Sequence, residues 1–391
     1  MKICYISPMT DSEGHAIFTH TLEVAIPLSK IVDEVHLVTL ECPNIDPLVT
    51  VYRLGKPPLA SLTKAYCAIK TFTFLLWFLR KNNIDAIYVR NLATTVVACI
   101  AGKLYNLPVI HEVNASPEER SYIKKGIRSL DSFLFPLFYK YSVTNAQHLV
   151  AVTSNIKDAI VNNYAIEPSK ITVVPNGANT GLFQPMPIDE ARTKLQLDRE
   201  TKYICFVGGL VLWQGLNNLI ECTPYILKQC PDTRFLIVGD GPMKDVLIKR
   251  AESKSVASNF VFIGAVHYSK VPLYINASDV CVAPFIKARN EKSGISPLKI
   301  YEYASCAKPI VTSRLPGLEF IEKVNAGILV KPDNPDDLAY AIVHLLQNDE
   351  LRAHMAARGR DYVTENHSWT SVAYKIAEIC NKVVVEYKKQ S

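Results

Sequence analysis

Short runs rich in Val and Ile alternate along this chain with longer stretches of helical spacing, in two series separated by a proline-rich passage. Such alternation is how repeated βαβ units read in sequence, and a parallel sheet covered on both faces is the architecture that buries them. The first series supplies KICYIS, EVHLVTL, IDAIYV, LPVIHEV and HLVAVTS as strands. From Thr19 to Lys30, Leu22, Ile26 and Leu28 recur among polar residues, the pattern of a helix with one apolar side. After KITVVPNG the passage NTGLFQPMPIDEARTKL reads as a connector. YICFVGG, RFLIVGDG, NFVFIGAV, DVCVAPF and KPIVTS then form a second series, with helices over 216–229 and 243–251.

With 391 residues the chain can bury two cores of this kind. We therefore expect an α/β protein of two Rossmann-like, doubly wound parallel-sheet domains facing across a cleft. The N-terminal domain covers 1–185 and is completed by a C-terminal helix over 370–391; the C-terminal domain covers 186–369. Doubly wound sheets bind ligands beyond the carboxyl ends of their strands, which places the expected site in the crevice between the two.

Composition narrows the class of ligand. Hydrophobic residues at 49% and charged residues at 20% describe a chain folded nearly throughout. An excess of 43 Lys and Arg over 37 Asp and Glu, +6 in all, suits phosphorylated ligands or an anionic membrane and is too small to argue nucleic-acid binding. Ten cysteines lie scattered without a C-x-x-C pair, several inside strand runs, as expected of reduced thiols in a cytoplasmic protein. MKICYISPMT enters a strand without the features of a secretory signal. The apolar stretch 72–79 falls far short of the roughly 20 residues that span a bilayer, so no transmembrane helix is expected. There is no D-x-D triplet and no His/Cys cluster at metal-ligand spacing, and no metal site is expected.

Two strand-to-glycine junctions, FVGG at 206–209 and IVGDGP at 237–242, are candidates for phosphate contact. Glycine lets a ligand approach the backbone, and a following helix N-terminus offers N–H groups and a positive dipole. The competing explanation is a tight βα turn required only for packing.

The order of motifs resembles the family 4 retaining glycosyltransferases of GT-B fold over nearly the whole chain. The resemblance is carried by SPMTDSEGHAIFTHTLEVAIPLSK, VIHE, VTSNIKDAI and VVPNGANTGLF, then by FVGGLVLWQGLNNLIE, FLIVGDGPMKDVL, FIGAV, INASDVCVAPF and SPLKIYEYASCAKPIV. It implies transfer of a sugar from a nucleoside diphosphate donor with retention at the anomeric carbon, by a hexosyltransferase that needs no metal. The implied co-substrate is a UDP- or GDP-sugar, with no further cofactor. The implied acceptor is a glycan or a lipid-linked saccharide, as in polysaccharide or glycoconjugate synthesis. No nucleic-acid partner is implied.

Residue by residue, the resemblance places Glu302 on the nucleotide ribose, where a carboxylate can accept from two hydroxyls. His111 falls near the sugar, as a hydroxyl partner or an acceptor-positioning group. Gly14 belongs to a loop after the first strand that approaches donor phosphate or acceptor, with His15 where many members have a second glycine. On the donor side lie Gly208, Gly209 and Gln214, then Gly239, Asp240 and Gly241, then Ala265 and Val266.

Three positions depart from the family. Its Arg and Lys for the donor pyrophosphate are replaced by Gly209 and Gln214, and its first glutamate, eight residues before Glu302, by Gly294. Two buried phosphate charges without a cation are costly, so another residue must neutralise them. Lys299 in SGISPLK is the leading candidate and, with His111, the residue assigned to the reacting centre; Arg289 is the reserve. The stretch from Ser293 through Gly294 and Ile295 to Ser296 is expected to present N–H groups at a helix start, with Ser296 as N-cap and Pro297 in the first turn.

Between HEVNASPEER and SVTNAQHLVAV, Arg120, Lys124 and Arg128 recur every four residues ahead of Phe133, Leu134, Phe135, Leu137 and Phe138. This is either a surface for an anionic bilayer, giving a peripheral position on the inner face of the membrane, or a solvated helix face followed by a core helix. Two other functions share the architecture: a nucleotide-sugar epimerase or hydrolase, and a catalytically silent binding or scaffold homologue. Gly209, Gln214 and Gly294 speak for the last; Glu302 and His111 speak against it.

Overall fold

The structure, a computed structural model, describes residues 1–8, 16–42, 45–57, 59, 63–115 and 130–390, with the side chains of 16, 130–133 and 390 outside the description. It divides into two compact units, Met1–Pro175 with Trp369–Ser391, and Asn176–Ser368. Residues 176–185, expected with the first unit, lie in the second. Phe183 is buried in the second unit's core beside Tyr203 and Tyr303, and its carbonyl accepts from Ser305 Oγ at 2.7 Å.

The first unit is a seven-stranded sheet: β1 (Lys2–Ile6), β2 (Glu34–Thr39), β3 (Val49–Arg53), β4 (Ala86–Val89), β5 (Val109–Val113), β6 (His148–Ala151) and β7 (Ile171–Val173). Their order is β3-β2-β1-β4-β5-β6-β7, all parallel, and it reverses between β1 and β4. Both faces of the central strands are buried, which is why they read as continuous apolar runs and not as alternating ones. Cys4, Ile6, Ile87, Val89, Leu149 and Ala151 meet the helices Thr63–Lys81, Leu92–Tyr105 and Leu130–Asn145 on one face. The helix Ala16–Ser29 packs against Trp369–Gln390. Helix ends follow local chemistry: Asn91 accepts from the Ala93 N–H at the start of Leu92–Tyr105, and Asn106, left-handed at φ 53°, closes it.

The second unit repeats the scheme with six strands: β8 (Lys202–Val207), β9 (Thr233–Val238), β10 (Phe260–Gly264), β11 (Val280–Ala283), β12 (Ile310–Ser313) and β13 (Gly327–Val330). The order is β10-β9-β8-β11-β12-β13, again all parallel, and the reversal lies between β8 and β11. Alternate residues serve two cores. Ile204 and Phe206 face the helices Leu216–Gln229 and Pro335–Leu346, while Tyr203, Cys205 and Val207 face Val271–Asn276 and Leu298–Ser305. The connector contains a short helix, Ile188–Lys194, whose Arg192 is buried on Asp279 at 2.7 Å. All ten cysteines are free thiols. No helix among the described residues is long and apolar enough to cross a membrane.

Candidate functional site

In the second unit the loops leaving β8 and β9 pack backbone to backbone at the carboxyl edge of the sheet. The Gly208 N–H donates to Val238 O at 2.9 Å and the Leu210 N–H to Asp240 O at 2.9 Å. Gly239 sits at φ 134°, and a Cβ there would stand 2.0 Å from the Gly208 carbonyl oxygen; one on Gly241 would stand 2.5 Å from that of Leu210. These two glycines are explained by packing alone. Gly209 differs: it is exposed, and the nearest atom to an added Cβ, Asp240 O, is 4.0 Å away. A ligand can approach the chain there.

Lys299 is buried on the helix Leu298–Ser305 and reaches under this loop. Its ammonium donates to Gln214 Oε1 at 2.8 Å and lies 3.8 Å from the centroid of the Phe206 ring. A Cβ on Gly208 would meet Nζ at 2.6 Å, so glycine at 208 makes room for the lysine. Lys299 thus brings an ammonium against a loop that carries no cation of its own from Gly208 to Gln214. Burial pulls its pKa from 10.5 down to about 7, with Glu302 working in the opposite direction. Glu302, also buried, accepts a hydrogen bond from Tyr268 OH at 3.1 Å. Arg289 stacks on Trp213, next to Gln214, with its guanidinium carbon 4.6 Å from the ring centroid.

The loop before Lys299 differs from expectation. The helix starts at Leu298 with Pro297 in the cap position, and Ser296 does not cap it. The Ser296 hydroxyl accepts from the Asn176 N–H at 2.9 Å and lies 3.1 Å from Tyr301 OH. The Ile295 N–H is already spent on Pro316 O at 2.8 Å. Gly294 closes the helix Lys287–Ser293 at φ 63°, ψ 174°, a conformation essentially restricted to glycine, which accounts for the missing glutamate. Asp240 is exposed and accepts from its neighbour Gly241 N–H at 2.7 Å. Ala265 is exposed after β10, while Val266 packs against the core.

In the first unit His111 is buried on β5, its Nδ1 without a hydrogen-bond partner among the described residues. Burial lowers its pKa to about 4 despite the neighbouring Glu112, so the ring is neutral at pH 7. Glu112 was not legible in the sequence as a centre of charge. Its Oε1 lies 3.2 Å from His20 Nε2 and 3.0 Å from Arg90 Nε, and its Oε2 accepts from Tyr88 OH at 2.6 Å. Burial opposes its charge, but His20 and Arg90 and the bonds from Tyr88 and Asn114 hold the carboxyl below the usual range. These partners come from a helix, a strand and two loop positions, and no spacing announces them. Gly14 and His15 lie outside the described residues, as do Arg120, Lys124, Arg128 and the side chain of Phe133. Of the apolar residues that follow, Phe135 packs on the core and Leu137 and Phe138 are exposed.

Comparison with known proteins bears on this geometry. Residues 17–182 match the family described as Glycosyltransferase Family 4, and residues 187–362 match Glycosyl transferases group 1. An uncharacterized glycosyltransferase of Methanocaldococcus jannaschii is 26% identical over 77% of this chain and 78% of its own length. D-inositol 3-phosphate glycosyltransferase of Corynebacterium glutamicum is 23% identical over 85% of this chain and 82% of its own. Among solved structures, sucrose-phosphate synthase from Thermosynechococcus elongatus superposes with a TM-score of 0.81 at 19% identity, covering 98% of this chain and 99% of that one. Anabaena HepE in complex with UDP-glucose superposes with a TM-score of 0.75 at 18% identity, covering 98% and 100%.

Proposed function

Since the chain belongs to the family 4 glycosyltransferases of GT-B fold, we propose that it is a retaining hexosyltransferase that takes its sugar from a nucleoside diphosphate donor. The acceptor in this reading is a glycan or a lipid-linked saccharide, and UDP is the leading nucleotide because HepE, of the same fold, binds UDP-glucose. In the reaction the bond from the anomeric carbon to the β-phosphate oxygen breaks, a bond from the acceptor oxygen to that carbon forms, and the acceptor's hydroxyl proton passes to the departing diphosphate. Negative charge then develops on the departing diphosphate.

The observation that carries the reading is the ammonium of Lys299 held 2.8 Å from Gln214 Oε1 in the loop after β8, with Glu302 three residues further along the same helix. Lys299 opposes the developing charge from a site already shielded from water, so little reorganisation accompanies the reaction. Glu302 takes the ribose hydroxyls, exchanging the Tyr268 hydroxyl for them or sharing it. The open approach at Gly209 admits the phosphates to the backbone. His111, neutral and with a spare ring nitrogen, serves as a hydroxyl partner for the sugar. With Lys299 as the counter-charge, turnover is expected to persist in EDTA.

Calorimetric titration of UDP into Lys299→Ala tests the assignment. A loss of about tenfold to a hundredfold in affinity is expected for a charge-assisted contact. Wild-type affinity in the variant would refute it. Incubation with UDP- and GDP-sugars, with and without glycan acceptors, separates transfer from hydrolysis: donor turnover that no acceptor accelerates would mark a hydrolase.

A further inference from the structure

The helices Thr63–Lys81, Leu92–Tyr105 and Leu130–Asn145 lie side by side on one face of the first unit's sheet. Their inner sides are spent on the core, through Leu75 and Phe78, Ala98 and Cys99, and Tyr139 and Val143. Their outer sides share two properties. Large apolar side chains stand in solvent, with Ile69 63%, Trp77 49%, Leu104 64% and Leu137 57% exposed. On the first helix Ile69, Thr73, Trp77 and Arg80 follow one another at helical spacing, opposite Leu75 and Phe78.

The charge on these outer sides has one sign. Thr63–Lys81 carries Lys64, Lys70, Arg80 and Lys81, and Leu92–Tyr105 carries Lys103; neither contains a carboxylate. Leu130–Asn145 carries Lys140 and a single carboxylate, Asp131, whose side chain is outside the description. Lys70, Arg80, Lys81, Lys103 and Lys140 have no carboxylate partner among the described residues. The cations also cross the seams between helices. Arg80 Nε donates to Tyr105 OH at 3.1 Å, and Lys103 donates to Asn145 Oδ1 at 2.5 Å. Lys81 Nζ sits 5.2 Å from the Trp77 ring centroid.

A solvated helix face ordinarily mixes both signs and hides its large aliphatics. Cations without anions, set around exposed apolar side chains, fit a partner that is negative at its surface and oily just beneath it. A second copy of the same face would set lysine against lysine. Nucleic acid would leave Ile69, Leu104 and Leu137 without a use. We propose that this three-helix face docks the protein on an anionic lipid bilayer, with Trp77 and its apolar neighbours entering the headgroup layer and the lysine stems spreading across it. Tryptophan suits that depth because one part of it is apolar and its N–H is polar, and long lysine stems let their ammonium groups stay among the phosphates. The inference goes beyond sugar transfer and does not depend on it.

Full-length protein is sedimented with vesicles of phosphatidylcholine alone or with about a third phosphatidylglycerol, at low and high salt. Binding is expected only with the anionic lipid, weakening with salt and accompanied by a blue shift in tryptophan emission. The double variants Lys70→Glu/Lys81→Glu and Ile69→Ser/Trp77→Ser each cut binding about tenfold or more, and the second also loses the blue shift. Unchanged thermal unfolding and an unchanged response to UDP show that each variant is folded. Binding to neutral vesicles equal to that on anionic ones, variants that bind like wild type, or concentration-dependent self-association abolished by the same substitutions would overturn the proposal. A protein that binds vesicles but not UDP would sink the donor reading and leave this one standing.

Discussion

Lys299 keeps its ammonium among Phe206, Phe285 and Gln214, where its proton is held only to about pH 7. The unfolded chain holds the same proton to about 10.5, so between those values the unfolded state binds more protons and stability rises with pH. Below pH 7 the cost of burial stands in full. Lys299→Met is therefore expected to stabilise the unliganded protein at pH 6 by ~2–4 kcal/mol, with the gain fading towards pH 10. Urea unfolding at the two pH values checks this, and an equal gain at both would contradict it. A diphosphate beside the ammonium reverses the preference. UDP binding above pH 7 should then take up a proton and weaken as pH rises, which calorimetry in buffers of different ionisation enthalpy reads directly. That Lys299 is the candidate cation for a loop that carries none of its own was legible in the sequence, through Gly209 and Gln214. Its contact with Gln214 was not, because 85 residues separate the two and only the fold joins them.

Among elements, the loops after β8 and β9 contain glycines of two kinds. Gly239→Ala drives a methyl into the Gly208 carbonyl at a positive φ, and a loss of ~2–4 kcal/mol is expected in denaturant unfolding. Gly209→Ala has room, so it should change stability by ~0.5 kcal/mol or less while lowering UDP affinity through the narrowed approach. Equal effects of the two substitutions on stability would refute the distinction. The strands were legible because burial on both faces forces β-branched runs, as in Val280–Ala283 and Ile310–Ser313. The start of Leu298–Ser305 was misread because a serine beside a proline looks like a cap, and only the approach of Asn176 and Tyr301 shows where its hydroxyl goes.

For the molecule as a whole, the helix Trp369–Gln390 returns to the first unit after the second is complete. It buries Trp369, Val372, Ile376 and Val383, at roughly 1.5–3 kcal/mol each, a sum comparable to the stability of an entire domain. A chain ending at Ser368 should keep a folded 176–368 and lose hydrogen-exchange protection in β1 to β7. Protection of those strands at the wild-type level would show that the helix is dispensable. The two-domain plan was readable from the two βα series, but the division after Pro175 was not, since Phe183 joins the second core through contacts made far along the chain.

Because the first unit includes a helix encoded behind 176–368, a nascent chain cannot complete that unit before the second has been made. At usual elongation speeds the strands β1 to β7 wait roughly 10–40 s for that last segment to leave the ribosome. During that interval their uncovered side is open to chaperones, and to neighbours on the same message.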